Sequence, residues 1–139
     1  MEITPYLLFL GNCREAFQFY EKALGGKLDL MTYGSSPEAG KLPAAMRDQV
    51  MHARLSAGNT ALMGSDCPPE HYAKPQGFSV SVSAADPAET ERIFNALVKD
   101  GKTKMPLQQT FWSAKFGMLQ DKFGIKWMVN CTQAAQTAR

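Results

Sequence analysis

Two helix-start signals stand 74 residues apart, and the rest of the chain is arranged around them in the same way twice. Asn12 precedes "CREAFQFYEKAL" with Glu15 three places on, and Asp86 precedes "PAETERIFNALV" with Glu89 three places on. A short polar residue with a glutamate at the third helical position satisfies N–H groups that a first turn leaves free. Pro87 suits the first helical position because its missing N–H is not needed there. Glycines close both runs, Gly25 and Gly26 in one and Gly101 in the other. The offset carries through the helices, with Phe19-Tyr20 falling on Ile93-Phe94 and Leu24 on Val98.

A β-prone stretch precedes each helix, "ITPYLLFL" in one case and "GFSVSVSA" in the other, and three more follow. In the first half these are "KLDLMTYG", "QVMHARLSA" and, past the Gly58-Asn59 hairpin signal, "TALMGS". In the second half they are "KTKMPLQQT", "SAKFGMLQ" and "IKWMVNC". The expected fold is α+β: two βαβββ modules, about 1–66 and 77–131, joined by a proline-rich linker over 67–76. At 139 residues the whole fits one domain, with a small polar tail over 132–139. Residues 35–48, "SSPEAGKLPAAMRD", read as a loop of a length more often found at a site or in a mobile segment.

Side chains alternate between the two faces of a sheet, so each module presents one face to its helix and leaves the other open. Cys13, Ala16, Phe17, Tyr20 and Leu24 give the first helix its sheet-facing stripe, and Ile93, Phe94, Leu97 and Val98 give the second. In "FSVSVS", Phe78, Val80 and Val82 are expected under the helix, with Gly77, Ser79 and Ser81 facing away. Carried back by the repeat, the same parity puts Tyr6 and Leu8 under the first helix and Pro5, Leu7 and Phe9 on the open face. It also puts His52, Arg54, Lys126, Met128 and Asn130 on open faces. Small and polar residues on the second face of a curved sheet suggest a cleft rather than a second packed core.

Charge and cysteine usage exclude several classes. Fifteen basic residues against thirteen acidic ones, scattered along the chain, give no basic face for a nucleic acid. No apolar run approaches the roughly 20 residues of a membrane helix, and no leader is apparent at Met1, so no membrane partner is expected. Cys13, Cys67 and Cys131 are odd in number and lack C-x-x-C spacing, which argues against a zinc knuckle or a secreted disulfide scaffold and for the cytoplasm.

His52, mid-strand on the presumed cleft face, has three readings: a hydrogen-bonded structural residue, a ligand contact or general base, or a metal ligand with no second imidazole in range. His71 lies in the linker and reads as exposed or at an interface, and its neighbour Tyr72 could form a lid. The cysteines read as buried or half-buried rather than nucleophilic. Phe111 and Trp112 either cap a mouth of the cleft, stacking on a planar ligand, or pack in the core or in a contact between two copies of the chain. Trp127 has core parity. Arg54, Lys115 and Lys126 around an apolar floor of Leu7, Phe9 and Met128 would suit a small anionic or aromatic ligand, or are solvated rim charges.

Paired βαβββ modules, "FY" in the first helix and D-x-x-G before the last strand resemble the vicinal oxygen chelate superfamily of glyoxalases, extradiol dioxygenases, fosfomycin-resistance and bleomycin-binding proteins. "PYLLFLGNCREAFQFYEKALGGKL", "MHARL", "TFWSAKFG" and "DKFGIKWMVN", in that order, resemble its PhnB-like (YjdN-like) branch over nearly the whole chain. The resemblance implies two modules forming a curved mixed-sheet half-barrel with a central cleft, commonly completed in a homodimer, and, in metal-dependent members, His, Gln or Glu ligands near strand starts and Glu on the final strand. Here those positions fall at or beside Pro5, at Gly77 or Ser79, and at Met128, while "TALMG" brings no carboxylate before Asp66. No metal or other cofactor is therefore expected. The branch has also carried a ubiquinone-biosynthesis methyltransferase label, but no glycine-rich strand-to-helix turn for a methyl donor's nucleoside is found. The resulting expectation is a small-molecule binder with Leu7, Phe9, His52, Arg54, Ser79, Ser81, Phe111, Trp112, Lys126 and Met128 as contacts. The alternatives are a metal- or His52-dependent enzyme of the glyoxalase or dioxygenase kind, or an interaction module with a vestigial cleft.

Overall fold

A computed structural model describes residues 1–135; of the tail expected over 132–139, the last four residues lie outside the described part. The chain forms two compact units, Met1–Ala73 and Lys74–Arg139, whose boundary falls within the expected linker.

Module 1 contains β1 (Tyr6–Phe9), α1 (Cys13–Leu24), β2 (Lys27–Thr32), the one-turn α2 (Ala44–Arg47), β3 (Val50–Ala57) and β4 (Thr60–Asp66). Its sheet runs β1-β4-β3-β2, with β1 parallel to β4 and the other pairs antiparallel. Module 2 repeats this with β5 (Val80–Ala84), α3 (Pro87–Val98), β6 (Lys102–Gln108), β7 (Phe116–Gln120) and β8 (Lys126–Cys131), in the order β5-β8-β7-β6 with β5 parallel to β8. The long loop of module 1 is built from short 3-10 turns at Tyr33–Ser35 and Ala39–Lys41 followed by α2.

Each helix lies on its sheet through an aromatic ring set over a glycine. Phe17 is fully buried, edge-on to Phe9 and Tyr20, and a Cβ at Gly64 would stand 2.7 Å from its ring. In module 2 a Cβ at Gly117 would stand 2.8 Å from the Phe94 ring. Trp127, Val129 and Leu119 complete that core, as the parity of Trp127 implied.

Carboxylates hold the backbone at the critical corners, exposed at Asp86 and buried at Asp66 and Asp121. Asp86 caps α3 as expected, accepting from Glu89 N at 2.8 Å, and Pro87 begins the helix. Asn12 occupies the N-cap position of α1 but makes no side-chain cap bond. Asp66, at the end of β4, replaces it: Oδ1 accepts from Gly11 N at 2.9 Å and Cys13 N at 3.0 Å, and Oδ2 from Val50 N at 2.9 Å. In the D-x-x-G turn, Asp121 Oδ1 accepts from Phe123 N and Ile125 N, and Oδ2 from the Trp127 indole N–H at 2.9 Å. Gly124 takes φ +90° there, where a side chain would be strained.

The first strand reverses the expected parity. Leu7 and Phe9 are 2% and 3% exposed and lie beneath α1, while Tyr6 and Leu8 are 44% and 41% exposed on the open face. In module 2 the last buried strand residue, Ala84, stands two places before the cap position Asp86; in module 1, Phe9 stands three places before Asn12. One extra residue, accommodated by Gly11 at φ +92°, turns every side chain of β1 over. Phe78 also departs from expectation: it precedes β5 and is 46% exposed, whereas Val80 is buried and Val82 half-buried.

Replacing Asp66 or Asp121 by alanine leaves three donors, two of them buried, without their acceptor and is expected to cost about 3–5 kcal/mol each in urea unfolding, against about 1 kcal/mol for Asp86→Ala. Cys13 and Cys131 are buried and Cys67 half-buried. Burial, assisted by Asp66, pushes the Cys13 thiol up to about 12 and raises that of Cys67. Ellman's reagent at pH 8 is therefore expected to react slowly with Cys67 alone in the folded chain and with all three thiols in denaturant. Labelling of Cys67 should accelerate only above the ordinary thiol range, since a raised pKa keeps it protonated longer.

Candidate functional site

The open face of module 1 is set by strand register. Tyr6 on β1 lies opposite Met63 on β4, Met63 opposite Arg54 on β3, and Arg54 opposite Asp29 on β2, which makes one row across all four strands. Met31 lies opposite His52 in the neighbouring row. His52 and Arg54 flank the buried Ala53, so both point to this face as expected.

Tyr6 and His52 form a pair on that face. The phenol oxygen is 3.1 Å from His52 Nδ1, and the rings stack with centroids 5.7 Å apart and planes 29° apart. Engaging Nδ1 leaves Nε2 as the imidazole atom available to a ligand, and the tautomer sets its role. If the phenol donates to Nδ1, neutral His52 offers an N–H at Nε2; if Nδ1–H donates to the phenol oxygen, Nε2 offers a lone pair, the form a general base requires.

Electrostatics around the pair are nearly balanced. Arg54 Nη2 meets Glu2 Oε1 at 3.1 Å, and its Nη1 lies 3.5 Å from Met63 Sδ. The hydrogen bond from Arg54, then that from Thr4, holds the Glu2 carboxyl below its ordinary range. Arg54 is therefore not a bare cation. Tyr33 donates from its hydroxyl to Asp66 O at 3.0 Å; burial first, then the charges of Asp66 and Tyr6, raises its phenol.

Module 2 offers a different open face. Ser81 lies opposite Met128 and Met128 opposite Met118, with Lys126 and Asn130 on either side along β8. Ser79 is half-buried just before β5. Phe111 and Trp112 are 93% and 50% exposed, so the core alternative for them does not hold. Lys115 does not join the open-face charges: its Nζ bonds Glu91 of α3 at 2.8 Å.

Leu7 and Phe9, expected as the apolar floor of a ligand site, are core residues instead, and Tyr6 and Leu8 take the exposed places. Tyr6 is the residue that sequence reasoning missed, because the 74-residue offset holds for the helices but not for β1. The one extra residue between Phe9 and Asn12 was the available signal.

The donor set does not match a divalent cation of the metal-dependent relatives. Pro5 precedes β1, Gly77 and Ser79 precede β5, Met128 offers a thioether, and both Asp66 oxygens are already committed to backbone N–H groups. Among the described residues no group of three His, Cys, Asp or Glu side chains is placed to hold a metal. The turn into α1 is equally ill-suited to a methyl donor's nucleoside, since the N–H groups of Gly11 and Cys13 are occupied by Asp66.

Comparison with known proteins agrees with this fold and branch. The family described as 3-demethylubiquinone-9 3-methyltransferase matches residues 1–130. Protein YjdN of Escherichia coli K12 is 32% identical over 146 residues, covering 99% of both chains. The crystal structure of PA1353 from Pseudomonas aeruginosa is similar at 50% identity and a TM-score of 0.87, covering 96% of this chain and 98% of that one. A glyoxalase/bleomycin resistance protein/dioxygenase from Nocardioides shares the fold, at 16% identity and a TM-score of 0.56 over 100% of this chain and 87% of that one. The family match over residues 1–130 and the similarity to YjdN along the whole chain place it in the PhnB/YjdN-like family, the family that carries the methyltransferase description.

Proposed function

We propose that this chain binds a small molecule without a metal, through the open face of module 1 centred on Tyr6 and His52. The observation that carries this reading is the hydrogen-bonded, stacked Tyr6–His52 pair on an exposed strand face, where the core gains nothing from either ring. Two stacked rings give a flat apolar surface, and the outward Nε2 gives one directional polar contact, a combination suited to a small anionic or aromatic ligand. Arg54 adds positive charge once Glu2 yields it. On module 2, Ser79, Ser81, Lys126 and Met128, with Phe111 and Trp112, are proposed as contacts of a ligand face of its own, independent of the Tyr6–His52 face.

A homodimer is part of the proposal. Tyr6, Leu8, Met31, Phe78, Phe111 and Trp112 are large apolar side chains between 41% and 93% exposed, surface that a second copy would cover. The free thiols suit a reducing compartment, the cytoplasm. An enzymatic reading rests on the same pair. With Nδ1–H donated to Tyr6, His52 Nε2 becomes a general base, and catalysis would need no metal.

Native mass spectrometry of freshly purified protein is expected to give a dimer retaining a small molecule, with the retained mass lost in His52→Ala. A monomer would remove the dimer, and an empty chain that no small molecule stabilises in a thermal-shift screen would remove the binder. For the molecule identified, Tyr6→Phe is expected to weaken binding about tenfold by releasing the imidazole from its fixed orientation. Elemental analysis giving one divalent transition metal per chain would overturn the metal-free reading and put the enzyme first.

A further inference from the structure

An orphaned acceptor lies on the open face of module 2. Asn130 Oδ1 is shielded from solvent and has no hydrogen-bond partner among the described residues. Its strand neighbours are Phe116 on β7 and Ser83 on β5. A buried amide oxygen left unpaired is costly enough that native chains seldom keep one without a reason.

Beside it stands an aromatic group exposed by construction rather than by fraying. Thr110 N bonds Ser113 O at 3.0 Å, Ser113 N bonds Thr110 Oγ1 at 3.1 Å, and the buried Ser113 Oγ sits 2.8 Å from both the Lys115 and Cys131 carbonyls. This turn fixes Phe111 and Trp112 outward. Trp112 meets Phe116 edge-on at 5.3 Å and Phe111 at 4.8 Å, and Phe116 is the strand neighbour of Asn130.

The geometry points to a second ligand subsite, in which a planar heteroaromatic ring packs on Trp112 and Phe116 and donates an N–H to Asn130 Oδ1. The ring exploits faces that already stand in solvent, and the N–H satisfies the acceptor that the chain leaves unpaired. Reaching Oδ1 requires the Trp112 or Phe116 edge to turn aside, which a side chain half in solvent does readily. The subsite uses module 2 alone, so it stands or falls separately from the Tyr6–His52 reading.

Indole and benzofuran test it on the full-length ¹⁵N-labelled chain, since they match in shape and differ in the N–H. Indole is expected to shift the Asn130 side-chain amide and the Trp112 indole resonances saturably, and to bind about tenfold more tightly than benzofuran. Asn130→Leu should equalise the two probes, Asn130→Asp should keep the preference because it keeps the acceptor, and Trp112→Ala should weaken both. Equal affinities in the unsubstituted chain, shifts that avoid Asn130 and Trp112, or a buried water as the sole partner of Asn130 with no probe bound would each overturn the subsite. Retention of the preference in Asn130→Leu would also overturn it.

Discussion

Module 1 is organised around a single buried carboxylate. Asp66 gathers the turn before α1 through Gly11 and Cys13, the first residue of β3 through Val50, and the head of the long loop through its own carbonyl and the Tyr33 hydroxyl. These contacts join segments widely separated in sequence. A carboxylate out of water is tolerated because charge-assisted bonds from backbone N–H groups replace its hydration. The consequence reaches the open face: with β1 and the start of β3 tied to one group, Tyr6 and His52 come into register across β4 without any direct backbone pairing of their strands. Asp121 does the same in module 2 for the last turn and the Trp127 indole, and so fixes β8 beneath α3.

What was legible in the sequence follows from how local the controlling physics is. The α3 cap, the glycine that closes α1, the hairpin at Gly58 and the D-x-x-G turn each depend on a few consecutive residues, and each appears where the spacing puts it; at the end of α3, by contrast, the cap is Lys99 and the left-handed residue is Asp100 rather than Gly101. Asn12 was misleading for the converse reason. Its position was right, but the acceptor came from Asp66, 54 residues later, and no local pattern announces a cap supplied by another strand. The parity of β1 failed because a repeat is kept in register by its helices, whereas alternation along a strand is sensitive to a single inserted residue. That one residue exchanged Leu7 and Phe9 for Tyr6 and Leu8 on the open face, and with them the chemistry of the candidate site.

His52 and Arg54 were placed on the correct face because β3 carries its own alternation, anchored by Ala53 and Leu55. The partner of His52 was not readable, since pairing Tyr6 with it needs both the register of β1 on β4 and the reversed parity. Function was legible only to the level of family. A fold does not fix an activity, and the side chains in which the two modules differ lie on the open faces rather than in the cores that define the fold.

The two open faces have diverged although the helix-covered faces repeat. Tyr6 pairs with Met63 in module 1 where Ser81 pairs with Met128 in module 2, so a methionine recurs at the same topological place while its neighbour changes from a phenol to a hydroxymethyl. Beyond that methionine, module 1 continues with Arg54 and Asp29, whereas module 2 continues with Met118. A thioether is flexible and polarizable, and it adapts to an apolar surface without demanding a fixed geometry. The phenol–imidazole pair does the opposite, offering one oriented polar atom. The oriented phenol–imidazole pair thus stands on module 1 and the paired thioethers on module 2, a difference that a duplicated fold reaches by changing open-face side chains while leaving both cores in place.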